Sequence, residues 1–344
     1  MTVGWNLGNT FDATSGGWFT NGDPETAWVN TATTKEMIDK IAEAGLNVFR
    51  LPITWDTGEG VYRRVGDAPD YTLNQDFLQR IGEVIDWGLD NDMYVIINTH
   101  HDRWIHLTDS NYDAESDKLA KMWTQIAEYF RNYGDKLIFE VMNEPLYTDE
   151  NWNHDWTGKP EHYNNLNKLN QLTVDAIRAT GGNNEERFVL VPTYAASSGS
   201  AQMKAFVLPD DMHPNKLIAS IHAYTPYNFA LNTDMSLNKW GTNSDKRELT
   251  KLFADIDKMF ISKGIPVIMG EFGAMNKDNE EVRAEWAKHY ISGAKQYGIP
   301  CIWWDNNHFK GDGERFGLLD RKALEFPYPL LLQGLIDGLT YVPE

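Results

Sequence analysis

Residues 137–145 read LIFEVMNEP, and residues 265–273 read IPVIMGEFG. Each stretch is mostly apolar and has a glutamate near its end, Glu144 in the first and Glu271 in the second; Glu140 interrupts the first apolar run. Runs of this length, rich in β-branched residues, predict strands buried on both faces, as in a parallel sheet. The two glutamates therefore lie where predicted strands reach their carboxyl ends.

Similar short runs recur along the whole chain and alternate with longer stretches of helical period, such as Phe77, Ile81, Val84, Ile85 and Leu89. We predict strands at 3–7, 47–53, 94–99, 137–142, 188–192, 217–222, 266–270 and 301–304. Helices are predicted near 33–44, 74–90, 116–133, 162–180, 200–206, 246–263, 280–297 and 328–338. This α/β pattern predicts a (β/α)8 TIM barrel, with residues 1–344 as a single domain.

The charge balance argues against some classes of partner. The chain has 31 Lys and Arg against 50 Asp and Glu, a net charge of −19, so we expect no nucleic acid and no membrane partner. No stretch approaches the roughly 20 apolar residues of a membrane span. Cys301 is the only cysteine, which excludes an intramolecular disulfide and leaves the compartment undecided. We expect a monomer.

Polar and aromatic residues are concentrated at the ends of the predicted strands. Because the active sites of such barrels lie at the carboxyl ends of the strands, we expect these residues to share one mouth. They are Asn6, Asn9, Arg50, His100, His101, Asp102, Asn143, Glu144, His222, Tyr224, Glu271, Trp303, Trp304 and Asp305. Glu144 and Glu271 are distant in the chain, so only closure of the barrel brings them together. Two carboxylates at one mouth suit the cleavage of a glycosidic bond.

Other interpretations of these residues are structural. Glu140 precedes Glu144 by four residues on the same strand face, so we interpret it as a buried partner of a basic or imidazole group. Arg50 could be a core ion-pair residue. The run from His100 to Asp102 suggests a metal site, but adjacent strand residues point to opposite faces. We therefore expect neither a metal nor a cofactor.

Seven motifs, in this order, resemble glycoside hydrolase family 5, and more narrowly its subfamily 4 of endo-β-1,4-glucanases and xyloglucanases. The likeness runs from Gly4 to about Gly338, and the ordered set is far more specific than any one motif. The motifs are GWNLGNT at 4–10, NVFRLP at 47–52, NTHHD at 98–102, NEP at 143–145, HAY at 222–224, GEFG at 270–273 and WWDNN at 303–307.

The resemblance implies a retaining β-glycanase with Glu144 as acid/base and Glu271 as nucleophile, their carboxyl groups roughly 5–5.5 Å apart. A general acid must still carry its proton near neutral pH, whereas a nucleophile must be ionised. Arg50 and Tyr224 suit the second need, as donors to the carboxylate of Glu271. Asn143 would donate to the sugar 2-hydroxyl.

The remaining candidate residues would bind sugar. His100 and His222 would contact sugar hydroxyls or the acid/base, and Trp304 offers a flat face to a pyranose. We expect substrate contacts from Arg50, His100, His101, Asn143, His222, Tyr224, Trp304, Asn9, Trp55 and Asn306. Candidate platforms for flanking sugars are Trp18, Trp55, Trp104, Trp152, Tyr227 and Phe229, of which about half should be packing residues instead. Asn306 and Asn307 could equally cap the last loop.

The leading hypothesis is a secreted endo-β-1,4-glucanase acting on cellulose, mixed-linkage β-glucan or xyloglucan. Within the same family, xylanase or mannanase activity is the alternative. From other classes, a catalytically inactive carbohydrate-binding barrel and a metal-dependent barrel hydrolase stay open. The expected partner is a β-glucan polysaccharide or oligosaccharide. Because polymeric glucan does not enter cells, we expect an extracellular protein, with a signal peptide absent from this sequence.

Overall fold

The computed structural model describes residues 1–14, 24–56, 64–149, 151, 153–213 and 215–342. Eight parallel strands close into a barrel in which each strand pairs with its neighbours in sequence and the first pairs with the last. They are β1 (Val3–Leu7), β2 (Val48–Leu51), β3 (Tyr94–Asn98), β4 (Leu137–Glu140), β5 (Val189–Ser197), β6 (Leu217–His222), β7 (Val267–Phe272) and β8 (Cys301–Asp305). The predicted (β/α)8 barrel is confirmed.

Eight helices alternate with these strands in the described part of the chain. They are α1 (Lys35–Glu43), α2 (Gln75–Asp90), α3 (Tyr112–Tyr129), α4 (Pro160–Ala179), α5 (Ser200–Ala205), α6 (Asn243–Met259), α7 (Glu280–Gln296) and α8 (Pro329–Asp337). α3 begins four residues earlier than predicted. Asp113 and Glu115 lie in its first turn, where their negative charges interact favourably with the positive end of the helix dipole and stabilise the earlier start. Within the described residues, no helix is both long and apolar enough to cross a membrane.

Two small elements in the loops were not predicted. After β4 a two-stranded hairpin pairs Tyr147–Thr148 with His154–Asp155, and after β6 a single helical turn spans Tyr227–Ala230. The hairpin is held by Tyr194 of β5, whose hydroxyl accepts from the backbone N–H of Tyr147 and donates to the carbonyl of Asp155. Both elements lie on the side of the barrel where the strands end, so they shape its mouth.

The barrel interior is filled in layers. Seven aliphatic side chains, one from each of β2 to β8, pack together: Val48, Ile96, Ile138, Leu190, Ile218, Ile268 and Ile302. β1 contributes Gly4, where an added Cβ would lie only 2.6 Å from the Cβ of Val48. The seven side chains therefore fill this layer, and there is no room for an eighth side chain from β1.

The next interior layer is polar. Because strand residues two apart point to the same face, the residues two positions beyond the aliphatic ring occupy this layer. They are Asn6, Arg50, Asn98, Glu140, Pro192, Ser220, Gly270 and Trp304, and the polar members are all buried. The change from aliphatic to polar side chains across one layer forms the floor of the carboxyl-terminal mouth.

At the opposite end of the barrel, Arg187 joins the segment before β5 to the one before β4. Its guanidinium is buried and donates to four backbone carbonyls and to the Oδ1 of Asn184. The carbonyls are those of Phe130, Tyr133, Gly134 and Leu137. Since this end lies away from the mouth, we interpret Arg187 as a stability residue.

We predict that Arg187→Ala lowers the free energy of unfolding by roughly 3 kcal/mol or more, because it leaves several buried carbonyls without a donor. Guanidinium unfolding followed by tryptophan fluorescence measures this. Lys35→Ala is the matched control: it removes the exposed ion pair with Asp39, and solvent screening should keep its unfolding midpoint unchanged. Equal midpoints for Arg187→Ala and the native chain would contradict the prediction.

Candidate active site

The guanidinium of Arg50 lies at the centre of the polar layer and is completely buried. Its Nε donates to Oε2 of Glu140 at 2.8 Å, and its Nη1 donates to Oε1 of Glu271 at 2.9 Å. The Oδ1 atoms of Asn6 and Asn143 accept from Nη1 and Nη2 at 2.8 and 2.7 Å. One positive charge therefore contacts two carboxylates and two amides, and the interpretation of Glu140 as a buried partner of a basic group is confirmed.

Glu271 reaches the interior because the pairing of β6 with β7 is irregular. The register shifts between the pair Ile221 with Met269 and the pair His222 with Glu271. Such a bulge changes the face to which the next side chain points. The carboxylate of Glu271 accepts from the hydroxyl of Tyr224 through Oε2 at 2.8 Å, in addition to Arg50. The prediction that both residues donate to Glu271 is thus met by the geometry.

Glu144 follows β4 and lies at the mouth. Its Oε1 is 2.7 Å from Nδ1 of His222, and its side chain is 28% exposed, against 7% for Glu271. One oxygen from each carboxylate and a ring nitrogen of His222 lie within 4.8 Å of one another. Retaining glycosidases hold their two carboxyl groups about 5–5.5 Å apart, whereas inverting enzymes need about 6.5–9.5 Å. An oxygen–oxygen distance within 4.8 Å is compatible with the retaining spacing.

The surroundings shift the protonation of these groups. Burial raises the pKa of Glu271, and the Glu144 carboxylate adds to this, although His222, Arg50 and the Tyr224 hydroxyl oppose it. Burial disfavours the charged ring of His222, but the carboxylates of Glu271 and Glu144 outweigh it and raise the pKa of His222. Burial also raises the pKa of Tyr224 well above its ordinary value, so its hydroxyl stays a donor.

Asn98 determines which nitrogen of His100 carries the proton. Its Oδ1 accepts from the backbone N–H of Ile53 at 2.9 Å, so its Nδ2 faces the Nδ1 of His100 at 3.1 Å. That nitrogen must accept, which leaves the ring proton on Nε2. Burial, with His101 beside it, lowers the pKa of His100 well below its ordinary value, so the ring is neutral. His100 stacks on Trp304, with centroids 5.7 Å apart.

The run from His100 to Asp102 does not converge on one point. The carboxylate of Asp102 accepts from the backbone N–H groups of Trp55 and Asp56 and so faces the loop after β2. Asp12, rather than Asp102, brings an oxygen within 4.8 Å of both histidines. In the tautomer that Asn98 imposes, however, neither nitrogen of His100 offers a free lone pair to an ion.

The prediction that Trp55 binds substrate is wrong, and Asn306 is held in the loop after β8. Trp55 is completely buried, donates through Nε1 to the carbonyl of Asn98 and packs edge-on against Phe77. Asn306 is buried as well: its Oδ1 accepts from the backbone of His308 and Phe316, and its Nδ2 donates to the carbonyl of Glu314. Trp55 therefore has no surface left for sugar, and Asn306 caps the last loop, as the structural interpretation of that residue predicted.

The other predicted contacts are distributed around the mouth. Phe229 is buried against Trp286 and cannot be a platform, and the half-buried Trp104 donates to Asp102 beneath Lys118. Tyr227 is exposed, in a separate depression. Asn9 occupies the turn after β1 with a φ of 58°, and His101 stays half-buried beside Trp28. Trp18 and Trp152 lie outside the described residues.

The sequence interpretation missed Trp156. Its indole is 56% exposed and lines a cavity of about 190 Å³ that also contains Glu144, Asn143, His101 and His154. Gln202 of α5 holds this segment by donating to the carbonyl of Trp156. The available signal was position, since Trp156 lies in the same loop as Glu144, but nothing in the sequence separates it from a packing residue.

Comparison with known proteins decides the family. The model for Cellulase (glycosyl hydrolase family 5) matches residues 12–310. The chain belongs to glycosyl hydrolase family 5. The chain is also 44% identical to Endoglucanase A of Clostridium longisporum, an alignment that covers 100% of this chain and 66% of that relative, so the chain spans about two thirds of its length.

Solved structures place this family 5 chain beside subfamily 4. A GH5-4 broad specificity endoglucanase from Ruminococcus champanellensis with bound cellotriose superposes with a TM-score of 0.90 and 46% identity, over 98% of this chain and 96% of the other. A mutant glycoside hydrolase 5 lichenase from Caldicellulosiruptor sp. F32 with cellotetraose gives a TM-score of 0.90 and 39% identity, over 98% and 92%. The resemblance to subfamily 4 is confirmed.

We predict that Tyr224→Phe moves the acid limb of the pH–rate profile to higher pH. The hydroxyl lowers the pKa of Glu271, so its loss raises that pKa, and the carboxylate then becomes protonated at a higher pH. A hydrogen bond to a charged group contributes about 1.5–3 kcal/mol, so kcat/KM on cellotetraose should fall roughly 10- to 100-fold.

Tyr290→Phe is the control for this prediction. It removes an equally buried hydroxyl, which donates to the carbonyl of Ala223 and does not contact Glu271, so the acid limb should stay in place. An acid limb that is unchanged in Tyr224→Phe, or that moves equally in both variants, would contradict the assignment of the hydroxyl.

Proposed function

We propose that this chain is a retaining endo-β-1,4-glucanase that hydrolyses β-glucan by double displacement, with Glu271 as nucleophile and Glu144 as acid/base. The observation that carries the proposal is the pair of carboxylates, with oxygens within 4.8 Å and different surroundings. The cello-oligosaccharides bound to the two neighbouring structures support a β-1,4-linked glucan as substrate.

In the first half of the reaction, the ionised carboxylate of Glu271 attacks the anomeric carbon. The bond to the departing sugar breaks, and Glu144 gives its proton to the leaving oxygen. The product is a glycosyl ester of Glu271. In the second half, the ionised Glu144 takes a proton from water, the water oxygen attacks the anomeric carbon, and Glu271 leaves as a carboxylate. Two inversions at the same carbon retain its configuration.

Neighbouring side chains have donors free for the sugar. The Oδ1 of Asn143 accepts from Arg50, which orients its Nδ2 donors away from the guanidinium and leaves them for the sugar 2-hydroxyl. The Nε2 proton of His100 is likewise available to a sugar hydroxyl. Trp156, which is exposed and lines the same cavity as Glu144, is our candidate platform on the leaving-group side.

The range of substrates is the finer part of the proposal. The lichenase among the structural neighbours supports mixed-linkage β-glucan, and the broad specificity of the subfamily 4 neighbour supports xyloglucan beside cellulose. Since these polymers are too large to enter cells, the proposal includes an extracellular location. It also includes action as a monomer. A product profile on cellulose, lichenan, xyloglucan, xylan and mannan separates these substrates.

The acid/base role of Glu144 predicts that Glu144→Ala discriminates between leaving groups. Hydrolysis of cellotetraose should fall about 10²- to 10⁴-fold, the usual contribution of general acid catalysis, because its leaving alkoxide needs a proton. Release of dinitrophenolate from 2,4-dinitrophenyl β-cellobioside in the first turnover should fall far less, because this leaving group departs unprotonated. Stopped-flow absorbance measures that turnover.

Glu271→Ala provides the matched comparison. A nucleophile is needed whatever the leaving group, so this variant should lose both activities together. If Glu144→Ala loses the two activities equally, the role of Glu144 as acid/base is refuted. If Glu271→Ala keeps the aryl glycoside activity, the nucleophile is another residue.

A further inference from the structure

Arg50 is shared between two carboxylates, and only one of them reaches the mouth. Glu271 lies beside Glu144, where the sugar must bind, whereas Glu140 lies in the polar layer with no exposed surface. The Glu140 carboxylate lies 2.7 Å from Nη2 of Arg50 and accepts from its Nε at 2.8 Å. Glu140 is therefore too deep to touch substrate, yet it contacts the same cation as the nucleophile.

Glu140 is surrounded by donors from three strands. The hydroxyl of Ser220 on β6 donates to its Oε1 at 2.5 Å, and Nδ2 of Asn98 on β3 donates to its Oε2 at 3.1 Å. With Arg50 on β2, these groups hold the carboxylate in one position. One guanidinium is therefore shared between two buried carboxylates, those of Glu140 and Glu271.

A cation shared in this way stabilises each carboxylate less than a cation that serves one carboxylate alone. A nucleophilic carboxylate must attack in the first half-reaction and leave in the second. Complete neutralisation by Arg50 would favour leaving and weaken attack. From this geometry we infer that Glu140 is a positioning residue that draws part of the charge of Arg50 away from Glu271 and so maintains its nucleophilicity. The inference rests on the proposed role of Glu271.

Other charged and titratable groups also face Glu271, and they come from several strands and the loops that follow them. The Glu140 variants leave all of these other groups in place, so a change in the titration of Glu271 reports on Glu140. The groups that act on Glu271 directly are Arg50, Glu144, His222, Tyr224 and Glu314, whereas Glu140 acts through Arg50.

The test uses three variants of the full chain: Glu140→Gln, Glu140→Asp and Ser220→Ala. The first removes the charge with little change in shape. The second retracts the charge from Arg50 by one methylene, and it decides the question alone if the first does not fold. The third removes a hydrogen bond of Glu140 but leaves its charge in place. Folding is checked by circular dichroism and thermal unfolding.

Two measurements distinguish an electrostatic role of Glu140 from a purely structural one. The first is the acid limb of kcat/KM for cellotetraose against pH. The second is the pre-steady-state burst of dinitrophenolate from 2,4-dinitrophenyl β-cellobioside, which gives the rates of formation and breakdown of the glycosyl ester separately. A purely structural role would change the amount of active enzyme without shifting the pH limb or the ratio of these rates.

We expect Glu140→Gln to move the acid limb to lower pH by about one unit, because Arg50 then stabilises the Glu271 carboxylate alone. Ester formation should slow several-fold while ester breakdown holds or accelerates, so the burst becomes smaller. Glu140→Asp should shift the limb in the same direction by less, and Ser220→Ala should leave it in place. An acid limb that stays in place in both Glu140 variants, or that moves equally in Ser220→Ala, overturns the inference.

Failure of the proposed function would look different. If the native chain gives no burst and Glu271→Ala keeps its activity, then Glu271 is not the nucleophile, whatever the Glu140 variants do. If the native chain does give a burst and Glu271→Ala is inactive, the proposed function stands and the acid limb alone decides the role of Glu140.

Discussion

The buried positive charge of Arg50 is the interaction on which the rest of this site depends. A guanidinium without water must meet carboxylates or amide oxygens, or its desolvation would cost several kcal/mol. The barrel supplies these from separate strands and the loops that follow them, through Glu140, Glu271, Asn6 and Asn143. Each partner is positioned in turn, so one side chain orders Glu271, the proposed nucleophile, Asn143, the proposed donor to the sugar 2-hydroxyl, and the buried carboxylate of Glu140.

This polar layer is possible because the layer beneath it is not polar. The aliphatic ring, which Gly4 completes, excludes water from below, and the low dielectric above it strengthens every contact of Arg50. The residues that stabilise the fold and the residues with shifted pKa values therefore lie at opposite ends of the barrel. Arg187 joins backbone carbonyls at the amino-terminal end, whereas the protonation shifts of Glu271, His222 and Tyr224 occur at the mouth.

The sequence predicted what depends on periodicity and chain order. Strand alternation placed Glu140 and Glu144 on one face, and the order of eight βα units brought Glu144 and Glu271 to one mouth. It did not predict the bulge that turns Glu271 inward, since that shift in pairing arises between β6 and β7. The prediction for Trp55 was wrong because burial of a loop residue depends on what packs over it, and Trp156 was missed for the same reason.

The central claim is that Glu271, held by Arg50 and Tyr224, forms a covalent bond with the sugar. The most direct measurement is mass spectrometry of peptides from enzyme treated with 2,4-dinitrophenyl 2-deoxy-2-fluoro-β-cellobioside, whose fluorine slows breakdown of the glycosyl ester. The account predicts one added fluorocellobiosyl group on the peptide that contains Glu271, with loss of activity in step. An adduct on Glu144, or inactivation without a covalent adduct, would contradict it.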